Sequence, residues 1–250
     1  MATINNDKII KQLKEMLLPA MAEAYQFQLE DPQYTNYSFE ERFNELVNIE
    51  YDSRLNHTIS RNVKNARFYD SNANLNDVNY RPDRKLNKGL IEELKTNDYI
   101  RNRLNIIIIG ASGSGKTWLS CAFGTNACQD KYKVRYYRMP ELFDDFEVKR
   151  IQGNYRQFLK QLSKYDLLII DEFLLTATTE AERNDLLELM EKRTNKKSTI
   201  LCSQWSPEGW HDKLGNGPIA DAILDRIINS SYKIFLEGKS LREEYSNLKK

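Results

Sequence analysis

Reduced to apolar and polar positions, the chain reads as a helical first quarter followed by a regular alternation of strands and helices. Residues 7–30 carry Ile9, Ile10, Leu13, Met16, Leu17, Met21 and Tyr25 at helical spacing, which predicts a helical element ended by Asp31-Pro32. Ser38-Phe39-Glu40-Glu41 is a capping box, with Ser38 as N-cap and Glu41 reaching back. A second helix follows, with Phe39, Phe43, Leu46, Val47 and Ile49 on or near its buried side, running past Tyr51 and Leu55 towards Phe68. Residues 71–89 are rich in Asn, Asp, Pro and Ser and read as a linker. Beyond them, four-to-five-residue stretches that read as strands, uninterruptedly apolar at 106–109 and 167–170 and mostly apolar at 134–137, 199–202 and 232–236, recur along the chain. Helical stretches separate them, among them one starting at Pro140, a short one around Phe158 and Leu162, one behind the capping box Thr179-Glu180-Ala181-Glu182, and one from Pro218. Strands that alternate with helices imply a parallel sheet covered on both faces. The expectation is an α/β fold of five parallel strands flanked by helices: residues 1–70 a small all-helical module, 71–89 a linker, 90–250 the core.

Composition narrows the class. Of 250 residues 40% are hydrophobic and 29% charged, enough for a core and a solvated surface. The longest apolar run is far short of a membrane span and no signal-peptide pattern opens the chain, so the reading is cytoplasmic, without membrane attachment. Cys121, Cys128 and Cys202 lack metal-ligand spacing and read as reduced, buried thiols. A net charge of +1 gives no global attraction for nucleic acid, so any such argument must be local. Positions 54–88 supply one. Eight basic residues there face three acids, and Arg54, Arg61, Lys64 and Arg67, at spacings of seven, three and three, would line one helix face. That face is either an ordinary solvated surface or a contact for a phosphate backbone.

Chemistry centres on the first strand. Ile106 to Ile109 run into Gly110-Ala111-Ser112-Gly113-Ser114-Gly115-Lys116-Thr117, which fits the phosphate-binding loop G-x-x-x-x-G-K-[ST] at every fixed position. Glycines allow backbone N–H groups to converge as an anion nest, and the helix behind adds its positive end. Gly110, Ser112, Gly113, Ser114, Gly115, Lys116 and Thr117 are the candidate nucleotide-binding residues. Lys116 would reach the outer phosphates, and the Thr117 hydroxyl would ligate Mg2+. The third strand ends in Asp171-Glu172. Asp171 can hold the magnesium shell and Glu172 is placed to take a proton from attacking water. The alternative makes Asp171 the cap of the next helix. Ser203-Gln204 ends the fourth strand, where Gln204 could orient the water, or simply turn the chain. Arg226 ends an apolar helix turn. It either completes a neighbouring subunit's site or forms an intrachain salt bridge with Asp225 or Asp221. Arg242 is a weaker candidate of the same kind.

Together these stretches resemble the IstB/DnaC-like group of AAA+ ATPases, nearer to the IstB-type helper ATPases of insertion-sequence transposition. The likeness rests on Ser38 to Arg42 with its helix, Gly110 to Thr117, Tyr165 to Phe173, Ser198 to Trp205, Ala220 to Arg226 and Gly238 to Arg242, in that order over nearly the whole chain. It implies a P-loop NTPase (AAA+) core that binds ATP and Mg2+ and hydrolyses ATP. It also implies a homo-oligomer, ring or helical filament, which binds and deforms duplex DNA and recruits or stimulates a transposase. Lys116 and Thr117 then fall on Walker A, Asp171 and Glu172 on Walker B, Gln204 on sensor 1 and Arg226 on the arginine finger. Asn is common at sensor 1, so Gln204 departs from the pattern. Only 46 residues follow Gln204, too few for the usual C-terminal helical lid. A DnaC-like replicative helicase loader is the alternative reading.

Overall fold

The computed structural model describes residues 5–238 and 240. Its contacts fall into two compact units, one up to Arg61 and one from Asn62 onward.

The first unit holds α1 (Asn6–Glu15), α2 (Pro19–Glu30) and most of α3 (Phe39–Ala66). The apolar period over residues 7–30 predicted one helical element, but the chain breaks it in two. Leu17 takes φ +60°, and Pro19 opens α2 at its first turn, where a missing N–H costs nothing. The capping box before α3 forms: Glu41 Oε2 accepts from Ser38 N at 2.8 Å, and Ser38 Oγ from Glu41 N at 3.3 Å. Polar groups organise the interior. Glu50 accepts from Met21 N at 3.0 Å and from Arg54 Nε at 2.7 Å.

The expected module ended at residue 70. The last turn of α3 instead belongs to the second unit, because its backbone and side chains bond there. Asn62 Nδ2 donates to the Lys131 carbonyl at 3.1 Å, and Arg135 Nη1 to that of Asn65 at 3.1 Å.

The second unit continues with α4 (Lys88–Leu94), α5 (Asp98–Arg101), β1 (Asn105–Gly110), α6 (Lys116–Gln129), β2 (Val134–Arg138), α7 (Met139–Ile151), α8 (Tyr155–Leu162), β3 (Leu167–Asp171), α9 (Glu180–Arg193), β4 (Ser198–Ser203), α10 (Pro207–Lys213), α11 (Gly217–Ile228) and β5 (Ser231–Leu236). The sheet order is β2-β3-β4-β1-β5, all parallel. The two-residue period of a strand sorts the β1 isoleucines. Ile106 and Ile108 pack against α4, α5 and α6, while Ile107 and Ile109 pack against α7 to α11. Three of the four are 0% exposed, and each such burial contributes roughly 1.5–3 kcal/mol. This two-sided packing fixes the C-terminal end of β1, where the glycine loop begins. The helix α10, unforeseen in the sequence, is a seven-residue piece that buries Trp210.

Residues 71–89 are not the linker that their composition suggests. Ala73, Leu75 and Val78 are buried in the core beside α6, and Thr125 Oγ1 donates to the Ala73 carbonyl at 2.6 Å. The Asn and Asp side chains cap their own turns: Asp70 accepts from Asn72 N, Asn74 from Asn76 N and Asn79 from Arg81 N. Among the described residues no helix is long and apolar enough to cross a membrane.

Candidate nucleotide site

The loop after β1 holds two positions in the left-handed backbone that favours glycine. Gly113 has φ +76° and Gly115 φ +94°, both in the left-handed region. A Cβ on Gly110 would lie 2.5 Å from the Leu236 carbonyl oxygen, and one on Gly113 would lie 2.2 Å from Ser240 Oγ. Leu236 of β5 and Ser240 therefore lie close against the loop. Gly115 caps α6, whose first residue is Lys116. The Lys116 ammonium donates to the carbonyls of Gly110 and Ala111, both at 2.8 Å. Arg84 donates to the Ser114 carbonyl from the segment before α4.

Asp171, at the end of β3, is 3% exposed. Its Oδ2 accepts from Thr117 Oγ1 at 2.6 Å and from the Tyr136 hydroxyl at 2.9 Å, and its Oδ1 accepts from Glu172 N at 2.8 Å. Three donors satisfy a carboxylate that would otherwise be costly to bury. Burial, then the Asp171 charge, pushes the Tyr136 hydroxyl far above the ordinary tyrosine range, so it stays a donor.

Glu172 follows with φ +56°, a conformation uncommon outside glycine. Its two carboxylate oxygens accept from Arg138 Nη2 at 3.1 and 2.9 Å. Hydrogen bonding to Glu172, and its charge, holds the Arg138 guanidinium above the usual arginine range. Ser203 serves the frame: its hydroxyl donates to the Phe173 carbonyl at 2.9 Å and accepts from Trp205 N and Trp210 Nε1, both at 3.1 Å. Gln204, next in sequence, is exposed.

One cavity of about 480 Å³ collects Ser112, Gly113, Gly115, Lys116, Thr117, Asp171, Glu172 and Gln204. Tyr69, Asp70, Trp118 and Leu175 also line it and were not anticipated. Apolar and aromatic walls with a few convergent polar groups are what a nucleotide needs. Gly110 and Ser114 shape the loop from behind, and Ser114 is buried at 2% exposure.

The other expected residues lie elsewhere. Arg226, on α11, is not among the lining residues. Its Nη2 pairs with Glu191 Oε1 at 2.9 Å and its Nη1 donates to the Ala222 carbonyl at 2.7 Å. The intrachain partner is thus Glu191 on α9, not Asp221 or Asp225, which His211 and Asn229 engage. Arg54 is ion-paired with Glu50. Arg61 and Lys64 are exposed along α3. Arg67 leaves the expected face, because the helix stops at Ala66 and Arg67 turns left-handed at φ +56°. It lines a separate cleft with Arg135 and Arg138. Arg242 and the question of a lid fall outside the described residues. Burial raises all three thiols, Cys121 to about 11, Cys128 to about 12 and Cys202 well above the ordinary range. They are free, buried and inert.

The family model of IstB-like ATP binding proteins matches residues 11–248. The chain belongs to the IstB-like ATP-binding family. Similar family members agree with this: a putative insertion sequence ATP-binding protein, y4pL, of Sinorhizobium fredii is 36% identical over 233 residues, covering 93% of this chain and 95% of the relative. The insertion sequence IS1162 putative ATP-binding protein of Pseudomonas fluorescens is 37% identical over 195 residues, 78% of this chain and 84% of the relative. Among solved structures, AMPPCP-bound DnaA from Aquifex aeolicus aligns with a TM-score of 0.58 at 21% identity, covering 70% of this chain and 53% of that one. The DnaC helicase loader aligns at 0.54 and 18%, covering 66% and 97%. These likenesses establish the fold of this IstB-like core as a P-loop domain of the AAA+ type.

Proposed function

We propose that this protein is a magnesium-dependent ATPase that oligomerises on duplex DNA and acts with a transposase in insertion-sequence transposition. One observation carries the hydrolytic part. The Thr117 hydroxyl and the Asp171 carboxylate meet at 2.6 Å beside Glu172, all on the wall of the cavity that holds Lys116.

The donor set fits magnesium. The ion is commonly held by one or two protein oxygens, phosphates and water, and among the described residues no group of three or more His, Cys, Asp or Glu forms a cage. Thr117 and Asp171 would hold it, and it would neutralise charge developing on the phosphates. Lys116 binds the outer phosphates. Glu172 accepts a proton from the water that attacks the γ-phosphorus as the bond to the β-phosphate oxygen breaks, giving ADP and phosphate. Gln204 orients that water. Arg138 Nη2, which donates to both carboxylate oxygens, competes with that water for Glu172.

Arg226 supports a shared site. It lies outside its own chain's cavity, held by an exposed pair with Glu191 that a neighbouring chain's nucleotide could replace. The relatives named as insertion sequence proteins favour transposition over helicase loading, since the DnaC likeness is one of fold. Arg61 and Lys64, exposed on α3, remain the proposed DNA contacts of that helix.

The test is phosphate release with ATP and magnesium. Glu172→Gln is expected to bind ATP yet turn over at least about a hundredfold more slowly. Lys116→Ala is expected to lose ATP binding. Hydrolysis at the wild-type rate by Glu172→Gln would remove the proposed base.

A further inference from the structure

The glycine loop sits at the C-terminal ends of the strands. The opposite end of the sheet carries a second feature. Strands β3 and β4 begin at Leu167 and Ser198, and the turns entering them bear Lys164, Lys196 and Lys197. Beside these turns, α8 and the C-terminal half of α9 wall a groove of about 640 Å³. Arg156, Lys160, Lys192, Lys196 and Lys197 line it against a single acid, Glu188.

Four of the five cations are left without an ion pair among the described residues. Glu188 accepts a hydrogen bond from the Tyr155 hydroxyl at 2.7 Å, and Lys197 pairs with Asp166 at 2.6 Å. Arg156, Lys160, Lys192 and Lys196 are exposed and form no ion pair among the described residues. Complementing a helix dipole accounts for Lys160 and Lys192, each in a last turn. It does not account for Arg156 in the first turn of α8, nor for Lys196 beyond α9.

The walls are fixed from beneath. Arg193 is 1% exposed and donates to the carbonyls of Leu162 at 2.8 Å, Tyr165 at 3.0 Å and Ser198 at 2.5 Å, and to Thr199 Oγ1 at 3.1 Å. One side chain thereby joins the end of α8, the end of α9 and the start of β4. Burial brings its pKa down to about 9, so it remains a cation at neutral pH.

We propose that this groove seats the phosphate backbone of the duplex, at the end of the sheet remote from the nucleotide. The proposal rests on the reading of the protein as DNA-binding and names where in the core that contact is made. Arg156 and Lys160 stand one turn apart, about 6 Å along α8, and face Lys192 and Lys196 across the groove, so that cations line both walls. An acidic protein partner fits less well. Protein interfaces are anchored by buried aromatic and aliphatic side chains; among the described residues no aromatic lines the groove, and Leu159 is 1% exposed.

The experiment is fluorescence anisotropy of a labelled duplex with the full chain, ATP and magnesium, over a salt series. The variants are Arg156→Ala/Lys160→Ala/Lys192→Ala/Lys196→Ala and the charge-keeping Lys160→Arg/Lys192→Arg/Lys196→Arg. The alanine variant is expected to bind at least about tenfold more weakly at physiological salt, with the slope of log K against log salt reduced by about two to four. The arginine variant is expected to match wild type, and both to keep DNA-free ATP turnover, which reports an intact core. Wild type that binds DNA while the alanine variant binds equally, with an unchanged slope, overturns the groove. So does a variant that keeps DNA but loses polyglutamate, which would assign the groove to an acidic protein. Failure of wild type itself to bind any duplex overturns the DNA reading on which the groove depends.

Discussion

At the scale of single residues, the site turns on one buried carboxylate and its neighbour. Asp171 is held by Thr117, Tyr136 and the Glu172 amide, so its place is set before any ligand arrives. Glu172 is held by Arg138, whose Nη2 occupies one acceptor position on each carboxylate oxygen, so the pair competes with a water for the same group. Arg138→Ala is accordingly expected to raise ATP turnover measured without DNA by several-fold. A fall as deep as that of Glu172→Gln would mean instead that Arg138 positions the base. That Lys116, Thr117, Asp171 and Glu172 would meet at one cavity was legible in the sequence, because the phosphate-loop pattern and an acidic pair at a strand end stand at fixed positions. Tyr136 and Arg138 were not legible in that way. They reach the site through the β2–β3 register, in which Arg138 stands opposite Asp171, and no local pattern carries that pairing.

At the scale of elements, strands announced themselves more clearly than connections. Ile106–Ile109 and Leu167–Ile170 are buried on both faces, which leaves an uninterrupted apolar run with few other readings. The segment 71–89 was misleading because its Asn and Asp residues cap tight turns while three apolar side chains go inward. Helix α10 escaped notice because seven residues with a glycine inside give no usable period. Helix α6 shows what close packing requires. A Cβ on Gly124 would lie 2.4 Å from Phe68 Cε1 and 2.9 Å from Ile169 Cδ1. Alanine would gain about 1 kcal/mol of helix propensity, but overpacking costs about 1–3 kcal/mol. Ile169 lies in a central strand with nowhere to move. Gly124→Ala is therefore expected to lower the thermal midpoint by a few degrees, and an unchanged or raised midpoint would show that Phe68 yields.

At the scale of the whole molecule, a helical unit and a P-loop core form one chain of a family whose relatives are named for insertion sequences. The core presents two charged features the first unit does not supply: the groove between α8 and α9, and Arg226 on α11, held by Glu191 outside its own cavity. A site that needs a neighbour's arginine converts assembly into catalysis, so duplex DNA that gathers chains would switch on turnover. The sequence left Arg226 between a neighbour's site and an intrachain salt bridge, because a single arginine at the end of a helix turn reads either way; its pair with Glu191 is compatible with the proposed assembly. The most direct test mixes Glu172→Gln, which supplies Arg226, with Arg226→Ala, which supplies Glu172, on duplex DNA with ATP and magnesium. Each alone is expected to be nearly inactive, and an equal mixture to recover about a quarter of wild-type turnover if neighbours associate at random. No recovery at any ratio, or full activity of Arg226→Ala alone, would contradict a site shared between chains.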